Sequence, residues 1–278
     1  MSDSDGKAFT LLDAYAPAEV ARRVESAGVV KAGLGVVPTL ALGALGGAFV
    51  AFGSLFFLVV ITNSGLGYGV ERLIGGAAFS LGLILVVIAG AELFTGNNLV
   101  VIAWADRKIG LGRLLRNWGL VYIANFAGAL LIVIMVVFSG VLDGAGGAVG
   151  ETATRVAVAK IELSFSEAFF RGVLCNALVC LALWLAMAAH AVSGKILAIL
   201  FPITAFVAIG FEHSVANMFL IPLGMLASAD PVAAGLTTAG FVANLIPVTL
   251  GNIVGGSIFV ALVYYVVYVR GARSQDAG

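Results

Sequence analysis

The chain has 278 residues, of which 61% are hydrophobic and only 11% are charged. A water-soluble fold of this size could not bury so much apolar surface, so lipid must cover the excess. The formal net charge is zero, which excludes the basic footprint that nucleic-acid binding requires. The composition therefore predicts an integral membrane protein with the lipid bilayer as a partner and no nucleic acid.

Residues 1–33 form a charged segment ahead of the first apolar run. This segment lacks the continuous apolar stretch of a cleavable signal, so we expect it to stay in the cytoplasm. Pro17, followed by 18–31 with Val20 and Val24 four apart, predicts a short amphipathic helix, since proline is tolerated in the first helical turn. A helix lying at the membrane interface is the favoured interpretation, and a lid under a pore is the alternative.

Six apolar runs are long enough to cross a hydrocarbon core of about 30 Å. They lie near residues 36–61, 70–105, 114–142, 165–189, 195–226 and 241–268. The second and fifth runs are too long for one simple span, and each carries a glutamate in its middle, Glu92 and Glu212. We therefore expect an all-α transmembrane domain of six helices over residues 34–270, followed by a cytoplasmic tail at 271–278.

Basic residues are distributed unevenly between the two faces that these spans define. Eleven lie on the amino tail, the 106–116 loop, Lys195 and the carboxyl tail, and four lie on the other face: Arg72, Arg155, Lys160 and Arg171. Because the basic excess marks the cytoplasmic side, both termini are predicted to be cytoplasmic in a multi-pass protein of the inner membrane. The Gly-rich linker at 143–162 is expected to be the longest loop and to lie outside.

The two over-long runs share a motif. Residues 90–97 read G-A-E-L-F-T-G-N and residues 210–217 read G-F-E-H-S-V-A-N, so both follow G-x-E-x-x-x-small-N. A second echo follows in the next helices, N-F-A-G-A at 125–129 and N-I-V-G-G at 252–256. Two echoes in register predict duplication of a three-helix unit. Because each unit has an odd number of spans, the two halves are expected to be inverted in the membrane, with the second and fifth helices interrupted near its middle.

Irregular backbone at membrane depth is tolerated only where it lines a cavity or is buried in protein, so the two breaks mark an interior path. Each break also exposes the amino end of a half-helix, which favours an anion. Thr95 adds a hydroxyl at the first break, and His213 adds the single imidazole expected inside the membrane. We predict that these side chains face the solute; a histidine that merely packs between helices is the alternative.

The carboxylates of the two breaks need a different account, because two anionic lining groups would repel an anion. We expect Glu92 and Glu212 to brace the half-helices through backbone amides, and contact with the solute is the alternative. Asn97 and Asn217, five residues after each glutamate, are assigned to the same bracing.

The sequence does not favour catalysis. A single intramembrane histidine lacks the companions that a zinc site requires, so no metal or cofactor is predicted. Glu212, His213 and Ser214 are consecutive, and consecutive helical residues point in different directions, which disfavours a catalytic triad. Cys175 and Cys180 lie in one apolar run, too far apart along a helix for an easy disulfide.

Five motifs together resemble the formate/nitrite transporter family, and the resemblance covers nearly the whole chain. The motifs are F-S-L-G-L-I-L at 79–85, A-E-L-F-T-G at 91–96, C-N-A-L-V-C-L-A at 175–182, G-F-E-H-S-V-A-N-M at 210–218 and I-P-V-T-L-G-N at 246–252. The resemblance implies six spans with interrupted second and fifth helices, an aquaporin-like protomer and a homopentamer.

The resemblance also implies roles for individual residues. It places Thr95 and His213 at a central polar site, supported by Asn176 and Asn252, and Lys160 at an outer vestibule. It implies two apolar constrictions, the cytoplasmic one formed by Leu83, Leu93, Phe94 and Val179, and the outer one formed by Phe79 and Phe206.

The substrate implied by the resemblance is formate or a similar small monovalent weak-acid anion. The sequences G-F-E-H at 210–213 and I-P-V-T at 246–249 look like formate-type versions of the motifs. Nitrite or hydrosulfide is the alternative, because Ile209 stands where many members have a small residue and the 227–240 stretch is short. An aquaporin-like pore for neutral solutes is disfavoured, since none of the six prolines follows an asparagine.

The resemblance and the cost of moving charge suggest a mechanism. A bare ion in a medium of low dielectric costs on the order of tens of kcal/mol before relaxation. We therefore expect His213, together with Thr95, to supply a proton or a compensating charge between the two constrictions.

Overall fold

The computed structural model describes residues 14–270, and the predictions for residues 1–13 and for the tail at 271–278 lie outside this range. We number the helices of the described part in chain order. They are α1 Pro17–Gly33, α2 Val36–Ile61, α3 Tyr68–Gly90, α4 Gly96–Ala105, α5 Leu111–Phe138, α6 Ala148–Ile161, α7 Phe165–Ala188, α8 Val192–Ile209, α9 Ser214–Ala227 and α10 Thr238–Arg270, with a short 3-10 turn at Val141–Asp143.

Within residues 14–270, six helices are long and apolar enough to cross a membrane: α2, α3, α5, α7, α8 and α10. This confirms the six predicted spans. Two shorter apolar helices, α4 and α9, complete the second and fifth runs. The all-helical fold predicted from the sequence is therefore the fold observed.

Both over-long runs are interrupted at the predicted motifs. Helix α3 ends at Gly90 in a π-helical turn and α4 starts at Gly96 in a 3-10 turn, whereas α8 ends at Ile209 and α9 starts at Ser214. Gly90 and Gly210 have φ angles of 83° and 87°. Since side chains other than hydrogen disfavour this left-handed conformation, glycine lets the chain leave each helix abruptly.

Glycine also brings the spanning helices together. A Cβ added at Gly47 would overlap the carbonyl oxygen of Asn125, and one added at Gly251 would overlap that of Phe169. The α2–α5 pair and the α7–α10 pair therefore pack backbone against backbone, as small residues permit in membrane helices.

The prediction of a loop at 143–162 was wrong for most of its length. Helix α6 occupies Ala148–Ile161, and Val149, Ala153 and Ala157 are buried. These three residues are spaced four apart and form one face of the helix, which lies close enough to Gly224 of α9 that an added Cβ there would overlap Ala157. The glycine-rich stretch before the helix led to the prediction of a loop, although the four-residue spacing of these three residues is that of a helix.

Helix α1 forms where the sequence predicts it, and it packs on protein. Val20, Ala21 and Val24 are buried, and Gly28 lies against Val100 of α4. Helix α1 therefore covers the half-helix that follows the first break. The favoured interpretation, a helix lying at the membrane interface, did not include this contact between α1 and α4.

Candidate functional site

The first break is held by a network of four side chains. One carboxylate oxygen of Glu92 accepts a hydrogen bond from Lys31 Nζ at 2.6 Å, and the other accepts one from Asn97 Nδ2 at 2.6 Å. Asn97 Nδ2 also donates to Asn117 Oδ1 at 2.9 Å, and Asn117 Nδ2 donates to the carbonyl of Lys31 at 3.2 Å. The network connects α1, the break, α4 and α5.

The second break has the same network. Glu212 accepts hydrogen bonds from Lys160 Nζ at 2.9 and 3.1 Å and from Asn217 Nδ2 at 2.7 Å. Asn217 Nδ2 donates to Asn244 Oδ1 at 2.8 Å, and Asn244 Nδ2 donates to the carbonyl of Lys160 at 2.8 Å. Helix α6 therefore relates to the second break as α1 relates to the first.

An asparagine binds the backbone groups that each break leaves without a helical hydrogen-bond partner. Asn125 accepts from the amide of Phe94 at 2.9 Å and donates to the carbonyl of Glu92 at 2.9 Å. Asn252 accepts from the amide of Ser214 at 2.9 Å and donates to the carbonyl of Glu212 at 3.0 Å. Each asparagine replaces hydrogen bonds that an unbroken helix would supply, as backbone at membrane depth requires.

These contacts correct the predicted mode of bracing. Glu92 and Glu212 do brace the breaks with Asn97 and Asn217, but they bind lysine and asparagine side chains, while asparagines on α5 and α10 bind the backbone amides. The physical reason is that a buried carboxylate needs a countercharge, which an amide does not provide. The asparagine echo at 125 and 252 carried this signal, whereas the lysine partners follow no local motif.

A polar pair lies between the two breaks. Thr95 Oγ1 is 2.9 Å from His213 Nε2, and both residues are buried. His213 Nδ1 accepts a hydrogen bond from the amide of Ala216 at 3.0 Å and so caps the amino end of α9. Because Nδ1 is an acceptor, the proton of a neutral imidazole lies on Nε2 and is donated to the Thr95 hydroxyl.

Asn176 lies directly behind Thr95. Its Nδ2 is within hydrogen-bond distance of the carbonyl oxygens of Thr95, at 3.1 Å, and of Asn252, at 2.7 Å, and of Asn98 Oδ1, at 2.8 Å. The side chain therefore links the first break to α10. Asn176 and Asn252 thus both form hydrogen bonds with backbone atoms next to the central pair.

Apolar rings pack beside the polar pair. The rings of Phe79 and Phe206 meet edge to face with centroids 5.6 Å apart, and the Phe206 ring lies 6.0 Å from that of His213 at an angle of 17°. The four residues assigned to the other constriction are all buried in the same apolar cluster as Phe79 and Phe206: Leu83, Leu93, Phe94 and Val179.

Two cavities flank this region. A wide cavity of about 550 Å³ is bordered by α1 and the first break, with Lys31, Leu93 and Lys195 in its wall. A smaller cavity of about 210 Å³, named here the narrow cavity, has Lys160 and His213 in its lining. One member of the polar pair, His213, therefore borders this cavity. Since α1 lines the wide cavity, the lid interpretation of α1 has structural support.

The site has the composition of a passage for solutes. Within residues 14–270, no group of three His, Cys, Asp or Glu side chains could hold a metal ion. Six spans, two interrupted helices and a buried polar pair between cavities define a membrane transport protein.

Comparison with known proteins identifies the family. The formate/nitrite transporter family model matches residues 18–266. The formate channel FocA of Escherichia coli K12 is 39% identical and covers 95% of this chain and 98% of its own length. The uncharacterized transporter YrhG of Bacillus subtilis is 44% identical, with 93% of this chain and 96% of its own length covered.

A solved structure agrees with these sequence relatives. A pentameric formate channel with formate bound superimposes with a TM-score of 0.79 at 38% identity, covering 84% of this chain and 98% of that channel. The chain belongs to the formate/nitrite transporter family, as the sequence motifs predict.

Proposed function

We propose that this protein conducts formate, or a similar small monovalent weak-acid anion, across the membrane. The observation that carries the proposal is the 2.9 Å contact between Thr95 and His213, two buried polar residues at the two helix breaks. The Escherichia coli relative is named a formate channel, and the solved relative holds formate. Nitrite and hydrosulfide are the alternatives within the same family, and a neutral-solute pore is the alternative outside it.

The energetics favour passage as a transient neutral acid. A bare anion between the constrictions carries a desolvation cost that apolar side chains cannot offset. Protonating an acid whose pKa lies about three units below the ambient pH costs roughly 4 kcal/mol at 1.36 kcal/mol per unit. Desolvation itself raises the pKa of an entering anion, so the neutral form becomes easier to reach as the anion moves inward.

The geometry at His213 favours a role as hydrogen-bond donor over a role as the source of the transferred proton. A second proton on the imidazole would have to bind Nδ1, which faces the amide N–H of Ala216. Protonation would therefore replace the cap of α9 with two opposed donors. We infer that the neutral imidazole and the Thr95 hydroxyl stabilise the anion by hydrogen bonds, and that its proton comes from the aqueous solution at the ambient pH.

Variants at His213 separate these two roles in liposomes with the pH set on each side. His213→Asn keeps a cap acceptor and a polar donor but does not titrate, whereas His213→Phe removes both. We expect His213→Asn to retain pH-dependent formate flux, His213→Phe to lose most of it, and Thr95→Val to weaken it less. Loss of the pH dependence in well-assembled His213→Asn protein would instead establish His213 as the proton source.

A panel of anions in the same liposomes tests the substrate. Formate flux above that of nitrite and hydrosulfide supports the proposal, and the reverse order overturns the choice of formate. Osmotic swelling by water alone, without anion flux, would indicate an aquaporin-like pore.

We also propose the assembly and the orientation. The solved relative is pentameric, so we expect a homopentamer in which each protomer has its own passage; native mass measurement in detergent tests this. The excess of basic residues on one face supports cytoplasmic termini in the inner membrane and a wide cavity that faces the cytoplasm. The odd number of spans in each repeat unit supports inverted halves. Labelling of a cysteine placed at Ser274 from outside intact cells would contradict this topology.

A further inference from the structure

The narrow cavity has more positive charge than its lysine explains. Its charged lining residues are Arg72, Lys160, Arg171 and Glu212. The Lys160 ammonium lies 2.9 Å from the Glu212 carboxylate, and their side chains are only 14% and 5% exposed. This close, shielded pair largely cancels its own field, so the excess positive charge of the cavity comes from the two arginines.

Arg72 is fixed to the backbone of the second break. Its Nε donates to the carbonyl of Ala208 at 3.0 Å, and its Nη2 donates to the carbonyl of Val207 at 2.8 Å. These are among the last carbonyls of α8, which ends at Ile209, so the guanidinium also faces the negative end of the helix dipole. Arg72 therefore contributes a fixed charge with few donors left for a ligand.

Arg171 is the guanidinium in this cavity whose N–H groups have no hydrogen-bond partner in the described part of the chain. Within residues 14–270, its side chain forms no hydrogen bond and no ion pair within 4.0 Å. Glu167, one helical turn earlier, attracts Arg171 electrostatically, but its carboxylate accepts hydrogen bonds from the Ser164 hydroxyl at 2.7 Å and from the Ser164 amide at 2.9 Å. The carbonyl of Arg171 accepts from the amide of Glu212 at 3.3 Å, which anchors the residue beside the break.

We propose that Arg171 captures the entering anion in the narrow cavity, with Arg72 as a fixed second charge, before the anion reaches His213. A guanidinium offers two parallel N–H donors that match the two oxygens of a carboxylate, so the ligand class is a small monocarboxylate. This inference rests on the proposed function and differs from the vestibule role that family resemblance implies for Lys160. Lys160 lines the same cavity, and its ammonium is paired with Glu212.

Loss of Arg171 is expected to weaken anion capture from one side of the membrane only. In the wall of the wide cavity, Lys31 is paired with Glu92 at 2.6 Å, and Lys195 is the remaining charged residue. Among residues 14–270, no arginine lines that cavity. Loss of Arg171 should therefore weaken anion capture from the side to which the narrow cavity opens and leave the other side unchanged.

A matched pair of arginine variants tests this inference. Arg155 lies on α6, is exposed, donates to Thr152 Oγ1 at 3.0 Å and does not line the narrow cavity. Arg171→Gln and Arg155→Gln remove the same charge from the same predicted face. Initial formate flux is measured in right-side-out and inside-out vesicles at low ionic strength and at about 1 M, where the Debye length is about 3 Å.

We expect Arg171→Gln to raise the half-saturating formate concentration about threefold or more from the narrow-cavity side alone, and to lose much of this effect at high salt. Arg155→Gln should match the wild type, and Arg171→Lys should fall between the two. Equal behaviour of Arg171→Gln and Arg155→Gln in conducting protein overturns the inference.

A binding measurement keeps the inference separate from the proposed function. Absence of formate flux in the wild type would overturn the proposed function. In that case, thermal stabilisation of the purified variants by formate tests whether Arg171 forms the capture site. Stabilisation lost in Arg171→Gln but kept in Arg155→Gln supports it, and stabilisation kept in both, or absent from the wild type, overturns it.

Discussion

The two helix breaks share one scaffold and differ in their chemistry. The spacings within the scaffold agree: five residues separate Glu92 from Asn97 and Glu212 from Asn217, and eight separate Asn117 from Asn125 and Asn244 from Asn252. All of these residues form corresponding contacts in the two halves. The repeated contacts support the duplication predicted from the sequence echoes.

The difference lies in the three residues after each glutamate. They are Leu-Phe-Thr at 93–95 in the first break and His-Ser-Val at 213–215 in the second. In the repeat, His213 corresponds to Leu93 and Thr95 corresponds to Val215. The polar pair is therefore made of positions that do not correspond, so the two breaks share their braces while the few residues next to the glutamates differ in chemistry.

The largest expected effect comes from removing the shared scaffold. Asn252→Leu would leave the amide of Ser214 and the carbonyls of Gly172 and Glu212 without their partner. Each unsatisfied buried group costs about 1–3 kcal/mol, so the loss is comparable to the stability of a whole domain. We expect almost no folded protein by size-exclusion chromatography, and the same result for Asn125→Leu.

A neighbouring position provides the control for this prediction. Thr249→Val, one turn from Asn252, removes a single contact with the Tyr122 hydroxyl at 2.9 Å and should lower thermal stability only slightly. Normal yields of either asparagine variant would show that the braces are not required for the fold.

The sequence predicted the scaffold as far as its signals were local. Long apolar runs and the motifs around Glu92 and Glu212 indicated six spans and two breaks, because helix length and helix-breaking chemistry are local properties. The charge partners of the two glutamates were missed. Lys31 is 61 residues before Glu92, and Lys160 is 52 residues before Glu212, so only the folded chain brings them together.

Prediction of the candidate site was limited in the same way. The motifs predicted Thr95 and His213 as the central pair, but they did not indicate that the Nδ1 atom of the imidazole accepts the capping hydrogen bond of α9. Arg171 was counted among the basic residues of one face, and its place in the narrow cavity follows only from the folded structure. Tertiary contacts, rather than residue types, determine which polar groups remain free for a solute.

A smaller effect tests whether the two braces are energetically equal. Removing one partner of a buried ion pair typically costs about 3–5 kcal/mol, because the remaining charge is left without compensation. Lys160 is 14% exposed in its pair and Lys31 is 30% exposed. Since water screens the more exposed charge, we expect Lys160→Met to lower the melting temperature more than Lys31→Met does.

Double variants check that the lost charge is the cause. Lys160→Met combined with Glu212→Gln should recover part of the loss, because no uncompensated carboxylate remains. Recovery should be smaller for Lys31→Met combined with Glu92→Gln. An equal loss in the two single variants, without recovery in either double variant, would rule out this explanation.

The smallest expected effect concerns the helices that cover the two breaks. Helix α1 carries a buried carboxyl, Glu25, bound to Lys108 Nζ at 2.5 Å and hydrogen-bonded to Asp106. The corresponding position of α6 is Thr154, whose hydroxyl donates to the carbonyl of Gly150 at 3.1 Å. At this position, therefore, the first covering helix has a titratable group and the second does not.

Burial and the hydrogen bond to Asp106 raise the pKa of Glu25 above its ordinary value of 4.5, although Lys108 opposes this. A carboxyl with a raised pKa binds its proton more tightly in the docked state. Its contribution is thus fully present below pH 4.5 and is lost as the pH rises through the pKa of the docked state. Within that window, the equilibrium for opening of α1 should change by up to about tenfold per pH unit.

Hydrogen exchange of α1 amides, corrected for intrinsic rates, should therefore slow on acidification, whereas that of α6 should not. Glu25→Gln, which keeps a donor for Asp106 without titrating, should remove the pH dependence, and an unchanged dependence in that variant would assign it to another group.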